Sequence, residues 1–149
     1  MNRFRNGLLT IAAALLTIAV GAAPAQATSA ATSTSWCSFE FVSLTATNLW
    51  HDGGKDWIWF VMDGWYFPGN TKSIQFFQGT TQTAGTFGNP RLVMPDTDTA
   101  TFQVVLDRTW PTANLVIDSN QLTCANGTNL SLRFSDGDAT YDLKYNAVW

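Results

Sequence analysis

Apolar and polar positions along this chain follow two regimes. Residues 8–20 form one apolar run broken only by Thr10 and Thr17. Everything later is cut into short pieces whose apolar residues recur mostly at every second position, the period of a strand. Residues 38–47 hold Phe39, Phe41, Val42, Leu44 and Ala46, with a phase shift at Phe41-Val42 that predicts a bulge or burial on both faces. Residues 57–62 are apolar on both faces and predict a central strand. Asp63-Gly64 turns the chain into Trp65-Tyr66-Phe67, and Pro68-Gly69-Asn70 breaks it again. A strand over 73–78 places Ile74 and Phe76 on one face, and the Gly- and Thr-rich stretch 79–90 is expected to be loop.

The second half continues this grammar. Ala100, Phe102, Val104 and Leu106 alternate with Thr101, Gln103 and Val105, and residues 115–117 make a short apolar strand. Leu122 and Cys124 share a face ahead of Asn126-Gly127, the signature of a type I′ hairpin. Leu130, Leu132 and Phe134 then alternate up to a second turn at Ser135-Asp136-Gly137-Asp138, which leads into Tyr141, Leu143, Tyr145 and Ala147. About eight or nine short strands at this spacing predict an all-β fold, a single antiparallel β-sandwich of immunoglobulin-like or C2-like type.

The first regime has a different origin. Arg3 and Arg5 precede the apolar run, and Ala25-Gln26-Ala27 offers a small-x-small cleavage site. The run is shorter than the ~20 residues that a bilayer span requires. Residues 1–27 are therefore expected to be a signal peptide, the chain to be secreted, and no membrane span to follow. Without those residues there are six basic and eleven acidic side chains, a net charge of −5. Such a surface repels phosphate backbones, so no nucleic-acid partner is expected. In an exported chain the two cysteines, Cys37 and Cys124, are expected to form one disulfide.

Residues 28–36 are Thr28, Ser29, Ala30, Ala31, Thr32, Ser33, Thr34, Ser35 and Trp36. The first eight carry neither charge nor bulk and cannot bury enough surface to order themselves. They are expected to form an extended, flexible arm ahead of a sandwich domain at 37–149. Such an arm is either an inert remnant of cleavage or a strand donated to a partner.

Catalytic groups are scarce. His51 is the single histidine, and no Gly-x-Ser-x-Gly elbow surrounds any serine. Most aspartates occupy turns, and no enzyme or obligatory cofactor is expected. Two acidic clusters are candidate calcium sites, with Asp52 and Asp56 in one and Asp136, Asp138 and Asp142 in the other. The stretches around them resemble the Asp-rich loops of C2 domains, although two Asp-Gly turns explain the same residues. Trp57 and Trp59 point the same way on a strand. That geometry suits a glycan-stacking platform, but large aromatics in strands are mostly core, and the pair is expected to face inward. Trp65, Trp110 and Trp149 are better placed for exposure.

An alanine-rich leader, a Thr/Ser/Ala arm at 28–36, one disulfide at Cys37 and Cys124 and an aromatic β domain together resemble the adaptor subunit of Streptomyces umbrella toxin particles. In that family a small β protein inserts an extended N-terminal segment into a cleft of a lectin-bearing subunit. The resemblance implies a protein-binding adaptor in a secreted toxin complex used in interbacterial competition. Its partners would be other secreted protein subunits, residues 28–36 would be the partner-binding arm, and Cys37 would anchor its base. The alternative is a secreted module that binds glycans or uses Ca²⁺.

Overall fold

A computed structural model of the chain describes residues 34–50, 54–108 and 112–149. Among them are ten strands: β1 (Trp36–Asn48), β2 (Asp56–Met62), β3 (Trp65–Phe67), β4 (Ile74–Phe76), β5 (Thr81–Thr83), β6 (Arg91–Pro95), β7 (Thr99–Leu106), β8 (Leu115–Thr123), β9 (Gly127–Ser135) and β10 (Thr140–Val148). They form two antiparallel sheets. In the first, β1 and β10 are central, β9 is one edge, and β5 and β6 share the other edge of β1. In the second, β2 and β7 are central, β8 is one edge, and β3 and β4 share the other edge of β2. The fold is a β-sandwich, as the strand spacing predicts.

The core lies between the sheets and is mostly aromatic. Phe39 and Phe41 of β1 meet Phe102 of β7 and Phe60 of β2, with ring centroids 5.3 and 5.0 Å apart. Phe60 and Phe102 meet edge to face at 5.7 Å. These inclined arrangements suit the ring quadrupoles. Phe76, Phe87, Phe134, Tyr141 and Leu143 are also fully buried. The phase shift in β1 is a register break between Phe41 and Ser43 against β10, so Phe39, Phe41, Leu44 and Ala46 are all buried.

The Asp63-Gly64 turn takes φ of 48° and 82° and joins β2 to β3, as the type I′ signature requires. Asp136 and Gly137 likewise join β9 to β10, with Gly137 at φ 99°. Asn126-Gly127 behaves differently. Neither residue has a positive φ, and the strands it connects pair with β7 and β10 rather than with each other. This connection passes from one sheet to the other instead of forming a hairpin. Residues 79–90 are also more structured than a loop. They contain β5 and a 3₁₀ turn, Ala84–Phe87, which buries Phe87 against Phe41 and Phe76. Residues 115–117 are the start of the longer β8.

Cys37 of β1 is bonded to Cys124 just beyond β8, so the disulfide ties one sheet to the other across 87 residues of chain. At the same edge, Asp118 of β8 accepts a hydrogen bond from the Ser135 backbone N–H of β9 at 3.3 Å. No helix among the described residues is long and apolar enough to cross a membrane.

Candidate functional site

Three regions of the surface carry chemistry, and strand pairing positions each of them. The first is where the arm joins the domain. Residues 28–33 lie outside the described residues. Thr34 and Ser35 are exposed, and the Ser35 carbonyl accepts a hydrogen bond from the Asp96 N–H at 3.0 Å. Trp36 is the first residue of β1 and is 57 % exposed. It pairs with Pro95, and the next residue on its face, Ser38, sits between Val93 of β6 and Val148 of β10. Val93 is half exposed and Trp149, one residue beyond Val148, is exposed by 59 %. Trp36 and Val93 thus lie on paired strands at the start of β1, with Trp149 just past the paired end of β10, and the Cys37 disulfide anchors that end of β1.

The second region is the outer face of the β2 sheet. Ile58, Phe60 and Met62 point to the core, so Trp57, Trp59 and Val61 point away from it. The inward placement expected for the Trp57 and Trp59 pair is thus reversed. Both faces of β2 are apolar, and the interior takes the Ile-Phe-Met set. Trp59, Val61 and Val105 form a second small apolar cluster, separate from the main core. Trp57, Tyr66 and Val116 border it and are exposed, and Tyr66 meets Trp59 edge to face at 5.9 Å. The Trp59 indole N–H is buried and has no hydrogen-bond partner among the described residues. Trp65 stands at the tip of the β2–β3 hairpin, exposed as its turn position indicates, while Trp110 lies outside the described residues.

The third region is the end of the sandwich that holds Asp56 and the β9–β10 turn. Asp52 lies outside the described residues. Asp56 is buried, and its Oδ2 accepts from the Tyr141 hydroxyl at 2.6 Å and the Trp50 N–H at 2.8 Å. Asp136 Oδ1 accepts from the backbone N–H groups of Asp138 and Ala139, at 3.0 and 2.9 Å. The Asp138 carbonyl accepts from Asn48 Nδ2 at 2.6 Å. Asp142 accepts two hydrogen bonds from Arg133, at 2.7 and 3.1 Å. The candidate calcium ligands thus serve as a cross-sheet staple, a turn cap and a cross-strand ion pair. Among the described residues no group of three or more His, Cys, Asp or Glu is arranged to hold a metal ion.

Electrostatics at this end follow from those contacts. Burial, the hydrogen bond to Asp56 and the charges of Asp56 and then Asp136 push the Tyr141 phenol well above the ordinary tyrosine value. Burial alone raises Tyr145. The hydrogen bond and charge of Asp142 hold the Arg133 guanidinium more firmly protonated.

Beside Asp56, a cleft of about 410 Å³ opens between the start of β2 and the end of β7. Lys55, Asp56, Trp57, Asp107, Arg108 and Thr112 line it with Leu106. Lys55 and Arg108 are 53 residues apart and carry no local motif, which is why the sequence pattern passes over them. No protein-family model matches the chain, and comparison with curated proteins finds no match.

Proposed function

We propose that this chain is an exported, non-catalytic adaptor that joins other secreted proteins, a linking subunit of an extracellular antibacterial toxin complex. The observation that carries this reading is the presence of exposed large apolar side chains at two separate places, besides the exposed Trp65 and Phe77. One is the arm base, with Trp36, Val93 and Trp149; the other is the outer face of the β2 sheet, with Trp57, Tyr66 and Val116. An adaptor needs two such surfaces, and large exposed aromatics are the side chains that dominate protein interfaces. An extended arm adds main-chain hydrogen bonds to whichever partner receives it. The disulfide at Cys37 fixes the arm base, which lowers the ordering cost of binding. The N-terminal leader pattern and the disulfide both suit export.

The test uses a C-terminally tagged chain expressed in its native host. Deletion of 28–35 and Trp36→Ser should each release one class of partner, and Tyr66→Asp should release another. All three variants should keep the wild-type circular dichroism spectrum. Retention of every partner by the arm deletion contradicts the reading.

A further inference from the structure

We propose that the cleft between β2 and β7 is a binding site for an acidic saccharide, a sugar ring carrying a carboxylate or phosphate. This inference goes beyond the adaptor reading, with which it shares only Trp57, and concerns the end of the sandwich opposite the arm base. The two ends are set by β1, which begins at Trp36 and finishes beside the Asp56 end, where Ala46 pairs with Tyr141.

Charge is the first argument. Only six basic residues follow the leader in an otherwise acidic chain. Arg91 and Arg133 are committed to ion pairs with Glu40 and Asp142. Lys55 and Arg108 have no carboxylate partner among the described residues, yet both line this one cleft. Asp56 and Asp107 also line the cleft, but both carboxylates already accept hydrogen bonds, from Tyr141 and Trp50 and from Ser73, whereas the two cations are left to meet an anionic ligand.

The remaining lining specifies a sugar rather than a bare anion. Trp57 is 43 % exposed and supplies an aromatic wall of the kind on which the C–H face of a pyranose packs. Thr112 offers a hydroxyl, and Asp107 offers a carboxylate whose Oδ2 already accepts from Ser73 Oγ at 2.6 Å. These are donors and acceptors for ring hydroxyls. The volume lies in the range of small-molecule sites and suits one or two sugar rings better than a folded protein surface.

The frame is rigid where it needs to be. Ile58 pairs with Leu106, and the Asp107 N–H donates to the Trp57 carbonyl at 2.7 Å, so the two strand ends stay together. The Arg108 N–H donates to Asn114 Oδ1 at 3.1 Å, which pins the backbone as the chain leaves β7. Preorganised groups of this kind lower the cost of ordering a ligand.

The experiment is a tryptophan-fluorescence and calorimetric titration of the full exported protein. The probes are oligogalacturonate, a neutral oligogalactose of the same length, a hexose phosphate and an acidic peptide. The expected result is binding of oligogalacturonate or the hexose phosphate, with the neutral sugar at least ~10-fold weaker and a loss of affinity at high salt. Which acidic sugar binds identifies the anionic group. Lys55→Gln and Arg108→Gln should each weaken binding several-fold, Trp57→Ala should abolish it, and Lys72→Gln, outside the cleft, should leave it unchanged. Lys55→Arg should restore most of the affinity. No binding of either acidic sugar overturns the proposal. So does equal binding of the neutral sugar or the acidic peptide, or insensitivity to Lys55→Gln and Arg108→Gln.

Discussion

The hydroxyl of Tyr141 on β10 donates to Oδ2 of Asp56 at the start of β2, 2.6 Å away and 85 residues apart in the chain. This bond joins the sheets at the end opposite the disulfide, and a second donor, the Trp50 N–H, holds the same oxygen. A buried carboxylate that loses a donor retains its desolvation cost. Tyr141→Phe should therefore destabilise the fold by about 1.5–3 kcal/mol, the range for hydrogen bonds to charged groups. Urea denaturation of wild type and variant measures this, and an unchanged midpoint contradicts the staple.

The same contact sets a pH dependence. The folded state holds the Tyr141 proton above the ordinary tyrosine value, so above about pH 10 the unfolded chain releases a proton that the folded chain keeps. The contribution is complete below pH 10 and is lost as pH rises further. Melting temperature should fall more steeply above pH 10 in wild type than in Tyr141→Phe. Parallel curves would show that this phenol is not the group responsible.

The Cys37–Cys124 bond closes a loop of 87 residues and should stabilise the fold by about 4–5 kcal/mol in the chain-entropy model. Reduction, or Cys37→Ser with Cys124→Ser, should lower the urea midpoint accordingly. A loss below about 1 kcal/mol would mean that the aromatic core alone holds the sheets together.

At the core, Phe102 touches Phe39, Phe60 and Tyr145 and is fully buried. Phe102→Ala should cost about 3–5 kcal/mol, the sum of lost transfer and cavity terms. Tyr66→Ala, on the exposed rim of the outer face, should cost far less, and the two denaturation curves report the contrast directly.

Much of the fold is legible because its signals are local. Asp63-Gly64 and Asp136-Gly137 announce positive-φ turns, and Ala100 to Val104 alternate cleanly. What is not legible depends on distant partners. Asn126-Gly127 carries a hairpin signature, but β8 is claimed by β7 and β9 by β10, and the chain crosses between the sheets. The three residues of β5 have too little pattern to announce themselves and are held by pairing with Ser43–Thr45 of β1. In β2, period two shows that Trp57 and Trp59 share a face but not which face, because Ile58, Phe60 and Met62 are equally apolar. The cleft is invisible for the same reason, since only the β2–β7 pairing brings Lys55 near Arg108.

Affinity purification of the C-terminally tagged protein from culture medium, with quantitative mass spectrometry of what accompanies it, tests whether this chain is a linking subunit. At least two other secreted proteins are expected in fixed ratio to the tagged chain, one class of which disappears when residues 28–35 are deleted. Recovery of the tagged chain alone, or with the same partners after the deletion, would contradict that role.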